Sequence, residues 1–312
     1  MKNLEGLFVE KGNRCINQIN NADYALKLLA TGGGVDVMLY EIRQDKPAHI
    51  VPGDKPDLME FYFILDGTVI LKIDSGDVSL KKGEYFYVYN LKDNIQLTTD
   101  HGAKFLYISS QPVFGALSEY YSDLYLLLKK SESKDLYTYN HGMRVQMYSI
   151  KICERLKLSN DIIAALQISS LFHDVGKYNV PDDILTKPGS LTKEEYDLIK
   201  KHPADSSRML REKFGEVIAE IVAQHHERLD GSGYPLGLKG DDIRIESKII
   251  AVADTYDAMT SDRAYKKGAT PESAMKELRK YAGIHYDARI VEALYEVLLA
   301  EGILTGGTLA AG

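Results

Sequence analysis

The sequence predicts a two-domain α+β chain in which a small β-barrel precedes an all-α helical bundle. The chain has 312 residues, about the length of two domains. Alternating β-rich runs recur at short spacing between residues 32 and 112, which is typical of a small barrel or sandwich. Beyond residue 112 the apolar residues recur at helical spacing. We therefore expect the barrel over residues 1–114, the helical domain over 115–304 and a flexible tail over 305–312.

The β-rich runs are the elements of the first domain. A further segment, residues 14–30, has a weakly helical pattern that ends at three consecutive glycines. Asp66-Gly67 lies between two of the runs and predicts a tight hairpin. The predicted strands cover residues 35–42, 61–65, 68–73, 85–89 and 105–108.

The second domain carries several helix signals. A connecting helix over 117–130 can pack within one chain or pair across a homodimer. Further amphipathic helices are expected over 141–156 and 161–173. Thr192 and Glu195 have the spacing of a capping box, and Pro203 marks a break or a new helix start. Thr270 and Asp287 are expected N-caps, and Gly302 follows the last helix.

Composition excludes several classes of protein. The chain has 38 Lys and Arg against 45 Asp and Glu, a net charge of −7, which argues against a general binder of nucleic acid or membrane surfaces. No apolar run approaches the ~18–20 residues of a membrane span, and the first residues lack the apolar segment of a secretory signal. Cys15 and Cys153 are expected to be reduced thiols. We therefore predict a cytoplasmic protein with no nucleic-acid or membrane partner.

Histidines and aspartates are concentrated in the helical half. Five of the eight histidines lie between His141 and His226, and histidine and carboxylate are ligands that suit Mn, Fe and Zn. His173-Asp174 and His225-His226 are adjacent pairs, and adjacent helical residues point about 100° apart, which suits a cluster of metals better than one ion. A carboxylate can bridge two ions ~3.5–4 Å apart, an arrangement that clamps an in-line phosphoryl displacement. The competing interpretation is a set of capping or core histidines.

The string from His225 to Pro235 is the most specific in the chain. With it, the region from about residue 120 to 299 resembles the HD-GYP domain, a branch of the HD phosphohydrolase superfamily. His173-Asp174 resembles the HD dyad of that family, and Gly233-Tyr234-Pro235 resembles its GYP signature. The upstream histidine, the intermediate histidine motif and the downstream aspartate block also have counterparts in the same order, at His141, 200–203 and 254–263.

The resemblance implies a metal-dependent phosphodiesterase that hydrolyses the 3′,5′-phosphodiester of cyclic di-GMP to pGpG, and often onward to GMP, by means of a metal-bridging hydroxide. Asp174 would bridge two divalent ions, iron or manganese, and Asp174 and Lys177 are the implied catalytic residues. One ion would be completed by His141, His173 and Asp254, and the other by His202, His225 and His226. Lys177, Arg263 and Lys266 would hold the phosphate, and Gly233 and Tyr234 would lie against the substrate.

Other polar residues receive supporting roles. In some family members a glutamate four residues before the first histidine is a ligand of a third metal ion. This chain has Tyr137 there, so we expect two metal ions. Asp257 shares a helix face with Asp254 and is expected to support the site rather than ligate metal. Glu227 and Asp230 are expected to fix the turns of the signature loop.

The first domain resembles a cupin more weakly. The glutamate-to-glycine spacing of Glu60 and Gly67 resembles one cupin motif, and residues 80–90 resemble the second. The metal-binding histidines are missing, and Phe86 stands where one of them would be, so no cofactor is expected here. The domain either senses a small molecule or serves as a dimerisation module with a filled core. The candidate pocket residues are Phe61, Phe63, Tyr85 and Phe86, and His49 and His101 are expected at the surface.

The leading hypothesis is a cyclic di-GMP phosphodiesterase regulated by its N-terminal domain. A second hypothesis is an HD-type hydrolase of another cyclic dinucleotide or nucleotide, because base recognition is not written in these motifs. A third is a receptor that binds a cyclic dinucleotide without turnover. Loss of metal ligands would favour a receptor, and none is lost.

Overall fold

A computed structural model describes residues 12, 14–20, 24–43, 48–50, 52, 57–73, 76–119, 122–123, 126–127, 136–187, 189–262 and 267–304, without the side chains of 136–139. The chain divides into two compact units, Met1–Ser122 and Asp123–Gly312. Residues 114–119 are helical, which includes the first three residues, 117–119, of the predicted connecting helix. The predicted tail, 305–312, lies outside the described residues, as do Arg263 and Lys266.

The first unit is a curled antiparallel sheet, a half-barrel. Its central path runs in the order β1-β2-β3-β9-β5-β8-β4, and both β6 and β7 pair with β5. The strands are β1 Asn17–Asn20, β2 Tyr24–Gly32, β3 Val35–Ile42, β4 Ala48–Ile50, β5 Met59–Ile73, β6 Gly76–Lys81, β7 Tyr85–Tyr89, β8 Ile95–Thr98 and β9 Ala103–Ser109.

The hairpin predicted at Asp66-Gly67 is wrong, because both residues lie inside the single strand β5. Its register against β9 shifts between Ile64 and Asp66, and β5 pairs with β7 before the shift and with β6 and β8 after it. Gly67 has a φ of 83°, and a Cβ there would lie 2.3 Å from the carbonyl oxygen of Gly102. The Asp-Gly pair therefore produces a bulge that bends one strand between two sets of partners.

The helical segment predicted over residues 14–30 is also wrong. This stretch forms β1 and β2, which pair with each other in antiparallel register. Ala25, Leu26 and Leu28 of β2 are buried in the core of the sheet, so pairing and burial override the local helical pattern. Gly33 and Gly34, both with positive φ, form the turn into β3.

A cavity of about 100 Å³ lies inside the curled sheet. The residues predicted to line a pocket do not line it: Phe61, Phe63, Tyr85 and Phe86. Strand alternation turns Glu60 and Tyr62 of β5 inward instead. His49, expected at the surface, lines the cavity as well.

The second unit is helical, as predicted. Its helices are α1 Leu136–Arg155, α2 Asn160–Phe172, α3 Asp182–Leu185, α4 Lys193–Ile199, α5 His202–Ala223, α6 Ile245–Thr260, α7 Pro271–Lys280 and α8 Ala288–Ala300, with 3₁₀ turns at Val175–Asn179 and Gly240–Asp242. Within α5 the helix is interrupted at Gly215, where φ is 81°. None of the helices within the described ranges is long and apolar enough to span a membrane.

The predicted helix starts are confirmed. Thr192 and Glu195 form a capping box at α4: the Glu195 amide donates to Thr192 Oγ1 at 3.2 Å, and the Thr192 amide donates to a Glu195 carboxylate oxygen at 2.8 Å. Thr270 and Asp287 accept amide hydrogen bonds at the starts of α7 and α8. Pro203 lies in the first turn of α5.

The apolar core of the second unit is built mainly from α1, α2, α5, α6 and α8. Residues such as Val145, Leu166, Ile221, Ile250 and Leu294 are completely buried in it. Burial of side chains of this size contributes on the order of 1.5–3 kcal/mol each. The packing fixes the ends of α2 and α5 beside α1 and α6, and the histidines and aspartates lie at these positions.

Candidate metal centre

The residues predicted to ligate metal come from separate elements and meet in the second unit. His141 lies in α1 and Asp254 in α6, while the remaining residues lie at or next to the ends of α2 and α5. Five of the seven residues are buried. His226 and Asp254 are partly buried, and the side chain of Asp254 is only 14% exposed. The set is His141, His173, Asp174, His202, His225, His226 and Asp254.

Asp174 lies at the centre of the cluster, with its two oxygens facing different histidines. Oδ2 is 3.8 Å from His141 Nε2 and 3.5 Å from His173 Nε2. Oδ1 is 3.1 Å from His202 Nε2 and 3.9 Å from His225 Nε2. The potential ligands therefore form two groups that share Asp174, one with His141 and His173 and the other with His202, His225 and His226.

Asp254 and His226 complete the surroundings of these groups. Asp254 Oδ1 lies 3.1 Å from His141 Nε2, on the side of the first group. The His226 ring lies 4.1 Å from that of His225 and 5.0 Å from that of His202, between centroids. The structure thus brings together all seven residues that the sequence analysis selected as ligands.

Backbone carbonyls orient three of the imidazoles. Nδ1 of His173, His202 and His225 lies 2.7, 2.7 and 2.5 Å from the carbonyl oxygen of the residue three positions earlier. A carbonyl can only accept, so Nδ1 is the donor in each case, and in the neutral ring the lone pair is on Nε2. This lone pair faces the centre of the cluster, as in histidines that ligate metals.

His141 is oriented by a carboxylate instead. Its Nδ1 lies 2.6 Å from Oδ2 of Asp257, a residue that is 1% exposed. Arg144 donates through Nε and Nη2 to the two oxygens of the same carboxylate. Asp257 therefore supports His141 from behind, and Arg144 in turn neutralises Asp257. The sequence analysis expected the supporting role of Asp257 but missed the role of Arg144, which lies one turn after His141 within the upstream histidine motif.

The electrostatics keep the ligand atoms available. Burial would raise the pKa of Asp174, but Lys177 and the neighbouring histidines hold it well below its usual value. Burial lowers the pKa of His226 to about 3 and that of His225 well below its usual value. Ionised carboxylates and neutral imidazoles are the forms that bind metals.

The pKa of His141 is raised, whereas the pKa values of His225 and His226 are lowered. Burial alone would lower its pKa, but hydrogen bonds to Asp254 and Asp257 raise the pKa to about 9. The negative charge of two neighbouring carboxylates stabilises the protonated, positively charged form of an imidazole. The negative charge around His141 therefore suits a metal ion as well as a proton.

The residues present fit divalent metal ions. Nε2 of His173 is completely buried and has no hydrogen-bond partner among the described residues. A buried lone pair of this kind is costly unless it accepts a proton or binds a metal. A donor set of imidazole nitrogens and carboxylate oxygens suits Mn, Fe or Zn, so its chemistry agrees with the predicted metals.

The turn after the dyad holds Lys177 against the cluster. Its Nζ donates to Asp174 Oδ2. A Cβ on Gly176 would lie 2.2 Å from the carbonyl oxygen of His202, so this position requires glycine for the turn to approach α5. Ser206 of α5 donates to the carbonyl oxygen of His173 at 2.7 Å and accepts from the Gly176 amide at 2.8 Å. The HD dyad and the start of α5 are therefore joined directly.

Glu227 organises the signature loop. It is 2% exposed, and its carboxylate accepts from the amides of Leu236, Gly237 and Leu238 at 2.7, 3.2 and 3.0 Å. A Cβ on Gly233 would lie 2.5 Å from backbone atoms of residues 226–228, so the loop folds tightly back on the segment after α5. These contacts agree with the turn-fixing role predicted for Glu227. Asp230 likewise accepts from Ser232 within the loop.

The folded loop places Tyr234 beside the ligands. Its amide donates to the carbonyl oxygen of His226 at 3.2 Å, and its ring lies 4.8 Å from the His226 ring. Lys200 Nζ lies 5.7 Å from the centroid of the Tyr234 ring and 4.8 Å from that of Tyr196. The sequence analysis named Lys200 only as part of a motif and missed its position over these rings, which depends on the packing of α4 against the loop.

The helical bundle, with buried histidines around a central His-Asp dyad, defines an HD-type protein. The sequence model of the family described as "HD domain" matches residues 127–290, more than half of the chain. The chain belongs to this family, and its GYP string places it in the HD-GYP branch. The predicted family and the predicted class of enzyme, a phosphodiesterase of HD-GYP type, are therefore confirmed.

One curated relative extends the similarity over both units, and two others match about half of the chain. The chain is 32% identical over 310 residues to "Cyclic di-GMP phosphodiesterase" of Thermotoga maritima, covering 92% of this chain and 82% of the relative. It is 37% identical over 186 residues to "Cyclic di-GMP phosphodiesterase PA4108" of Pseudomonas aeruginosa, covering 59% of this chain and 44% of the relative. It is also 37% identical over 176 residues to "3'3'-cGAMP-specific phosphodiesterase 2" of Vibrio cholerae, covering 55% of this chain and 34% of the relative.

The chain thus spans less than half the length of the Pseudomonas and Vibrio relatives. Among solved structures, a cupin superfamily protein from Desulfitobacterium hafniense matches with a TM-score of 0.25 and 16% identity, covering 29% of this chain and 79% of that protein.

Proposed function

We propose that the protein is a metal-dependent cyclic di-GMP phosphodiesterase that yields pGpG and, by a second cleavage, GMP. The observation that carries this proposal is the position of Asp174, whose two oxygens face two separate groups of histidines. A carboxylate shared in this way suits a pair of ions, and a pair of ions suits the displacement at phosphorus in a diester. The named relatives support a cyclic dinucleotide as the substrate class.

Two ions, iron or manganese, would be held by the two groups. His141, His173 and Asp254 would bind one ion, His202, His225 and His226 the other, and Asp174 both. Such ions supply Lewis acidity, which polarises a phosphoryl oxygen and makes water a better nucleophile.

The side chains of the protein would bind the substrate, stabilise the developing charge and supply a proton. Lys177 would balance the negative charge that develops on the phosphoryl oxygens and give a proton to the leaving 3′ oxygen from Nζ. The side chain of Lys177 is 26% exposed, so a substrate can reach it. Tyr234 would offer its ring to a base of the substrate. Arg263 and Lys266 remain the predicted phosphate contacts, as does Gly233 for close approach of the substrate to the backbone.

The first unit would regulate this activity as a cupin-like domain without a metal of its own. Its motif spacing supports the assignment, and its curled sheet agrees with it. Homodimer formation and a cytoplasmic location remain predictions.

A second candidate substrate is another cyclic dinucleotide. The similarity to the cGAMP-specific relative favours this alternative, because its identity to the chain equals that of the Pseudomonas cyclic di-GMP enzyme. The chemistry at phosphorus would be the same for both substrates, and only the contacts to the bases would differ. A receptor without turnover is the third alternative.

The test is an anaerobic turnover assay of the full chain with Mn²⁺ or Fe²⁺, using cyclic di-GMP and 3′3′-cGAMP in parallel. We expect pGpG or GMP from cyclic di-GMP and slower hydrolysis of cGAMP. Asp174→Ala should lose bound metal and, with several kcal/mol of charge stabilisation removed, reduce turnover on the order of 1000-fold. Asp183→Ala changes an exposed aspartate in α3 and should alter neither.

Three results would contradict parts of the proposal. Faster hydrolysis of cGAMP would reassign the substrate. Binding of cyclic di-GMP by the metal-loaded protein without any product would indicate a receptor. Full metal content and full turnover in Asp174→Ala would show that the ligand assignment is wrong.

A further inference from the structure

Lys200 lies beside the signature loop, at the margin of the metal centre. It follows directly on α4 and precedes His202 by two positions. Its Nζ is 4.8 Å from the centroid of the Tyr196 ring and 5.7 Å from that of the Tyr234 ring. The Tyr234 ring in turn lies 4.8 Å from the ring of His226, a proposed ligand. The charge of Lys200 is therefore near the ligand cluster and outside it.

The ammonium group of Lys200 has hydrogen-bond donors available for a ligand. Its Nζ donates to no residue that the structure describes, and its only ion pair there is with Asp197, at 3.7 Å. The side chains of Lys200 and Asp197 are 39% and 53% exposed, and ion pairs between exposed groups contribute little. An ammonium group has three N–H donors, so an anionic group of the substrate can accept from it.

The two tyrosines hold this charge in place. An ammonium group within about 6 Å of a ring centroid is attracted by the face of the ring. Tyr196 belongs to α4, and Tyr234 is fixed by the hydrogen bond from its amide to the carbonyl oxygen of His226, at 3.2 Å. A side chain that is already held loses less conformational freedom when it binds a ligand. Lys200 is therefore a positioned cation beside the metal centre.

Lys177 takes a different place. Its Nζ donates to Asp174, so its charge lies where a phosphate bound at both metal ions would be. A cyclic dinucleotide carries two phosphodiester groups on opposite sides of one ring, and only one of them can lie at the metal ions. The second keeps its negative charge away from the metal ions, and lysine binds phosphate as a point charge. The substrate class proposed above therefore has an anionic group that a cation beside the centre can bind.

We propose that Lys200 binds the second phosphate of the cyclic dinucleotide, the one that is not being cleaved. This role rests on the proposed function, because it requires a substrate with two phosphodiester groups. Lys200 then contributes to substrate affinity, whereas Lys177 acts on the phosphate that is cleaved. Removing the charge of Lys200 should therefore raise KM and leave kcat unchanged.

The test compares wild type with Lys200→Gln in the metal-loaded full chain. The substrate is whichever of cyclic di-GMP and 3′3′-cGAMP the wild type hydrolyses faster, and GpG, a linear dinucleotide with a single phosphodiester group, serves as the competitive inhibitor. Lys200→Gln should raise KM about tenfold, because it removes a hydrogen bond between charged groups. The kcat and the inhibition constant of GpG should equal those of wild type, since GpG has no second phosphate.

Two further variants separate the charge from the packing. Lys200→Arg keeps the charge and should recover most of the affinity. Lys193→Gln removes an exposed lysine at the other end of α4 and should equal wild type. An unchanged KM in a folded Lys200→Gln protein would overturn the proposal. An equal loss of affinity for GpG would also overturn it, because Lys200 would then contact a base or only support Tyr234.

Failure of the proposed function would be seen separately, as a metal-loaded wild type that gives no product from either cyclic dinucleotide. Isothermal titration calorimetry with cyclic di-GMP then replaces the kinetics. Binding about tenfold weaker in Lys200→Gln than in wild type would retain the phosphate contact. Equal binding by the two proteins, or no binding by wild type, would overturn it. Circular dichroism checks folding, and Lys200→Met, which also lacks the charge, replaces Lys200→Gln if the latter is unfolded.

Discussion

The two units each bury a carboxyl group, and the neighbours of the two groups differ. In the second unit Asp174 lies among imidazoles and beside Lys177, which hold its pKa well below the usual value although burial opposes this. In the first unit Glu60 lies among aromatic rings, and burial raises its pKa. Burial is common to both, so the neighbours decide whether the pKa of a buried carboxyl group is raised or lowered.

Among the variants that test this comparison, Lys177→Ala should have the largest effect on turnover. It removes the cation beside Asp174 and the proposed proton donor, and general acid catalysis contributes about 10²–10⁴-fold, so we expect kcat to fall by this factor. Metal content should be retained, because all seven proposed ligand side chains remain in this variant. Turnover and metal content are measured on the same sample.

Lys193→Ala is the control, an exposed lysine at the start of α4. Loss of metal from Lys177→Ala would show that Lys177 maintains the ligands and does not act on the substrate.

Asp257→Asn tests the group that supports His141. The amide cannot accept from both His141 and Arg144 as the carboxylate does, and loss of such a supporting group typically costs about 10–100-fold in metal affinity or activity. We expect metal affinity to fall in this range, measured by competition with a chelator. Asp241→Asn, at a fully exposed site paired with Lys248, should have no effect. Unchanged affinity in Asp257→Asn would mean that packing alone orients His141.

Glu227→Ala tests another buried carboxyl group, one that accepts hydrogen bonds from backbone amides. It leaves the amides of Leu236, Gly237 and Leu238 without their acceptor. One fully buried donor without a partner costs about 1–3 kcal/mol, and these partly buried amides, which water can reach, together cost about as much. We expect a loss of this size in the free energy of unfolding in urea, and increased hydrogen exchange of these three amides. Glu212→Ala, an exposed position in α5, is the control. Unaltered exchange would show that the loop is held by other contacts.

The smallest effect is a pH dependence in the first unit. Folding raises the pKa of Glu60 above 4.5, so the folded unit binds the proton more tightly than the unfolded chain. The protonated carboxyl group therefore stabilises the unit at low pH, and this stabilisation is lost as the pH rises through the raised pKa.

Glu60→Gln should remove this dependence. Relative to wild type, its stability should be more favourable at pH 7.5 than at pH 4.5, measured by hydrogen exchange in β5 and β9. The opposite trend would show that the folded state favours the ionised form of Glu60, as it does for Asp174. Glu41→Gln, which changes a partly exposed residue of β3 that pairs with Lys104, should follow wild type at both pH values.

The proposed ligands could be selected from the sequence because they stand in recognisable adjacent pairs and motifs. His173-Asp174 and His225-His226 are visible without any knowledge of packing. Arg144 and Lys200 are not, because their roles depend on which helices meet, and the sequence alone does not specify those contacts. Arg263, Lys266 and the side chain of Tyr137 lie outside the described residues, so their roles remain predictions.

In the first unit the errors have a common cause. Asp66-Gly67 is a local signal shared by hairpins and bulges, and only the partners of β5 decide between them. Residues 14–30 form β1 and β2 for the same reason, since their burial against the sheet outweighs a weak local preference. The inward-facing residues of β5 could be found only from the register of the strand, in which Glu60 and Tyr62 are buried and Phe61 and Phe63 are less so.

The carbonyl oxygens that orient His173, His202 and His225 have a consequence for mutation. Each belongs to the residue three positions earlier, Ser170, Ile199 or Val222. The side chains of those residues play no part in the bond, so replacing them leaves the acceptor in place. The orientation of these three imidazoles is thus set by main-chain atoms, and substitutions at the three supporting positions leave it unchanged.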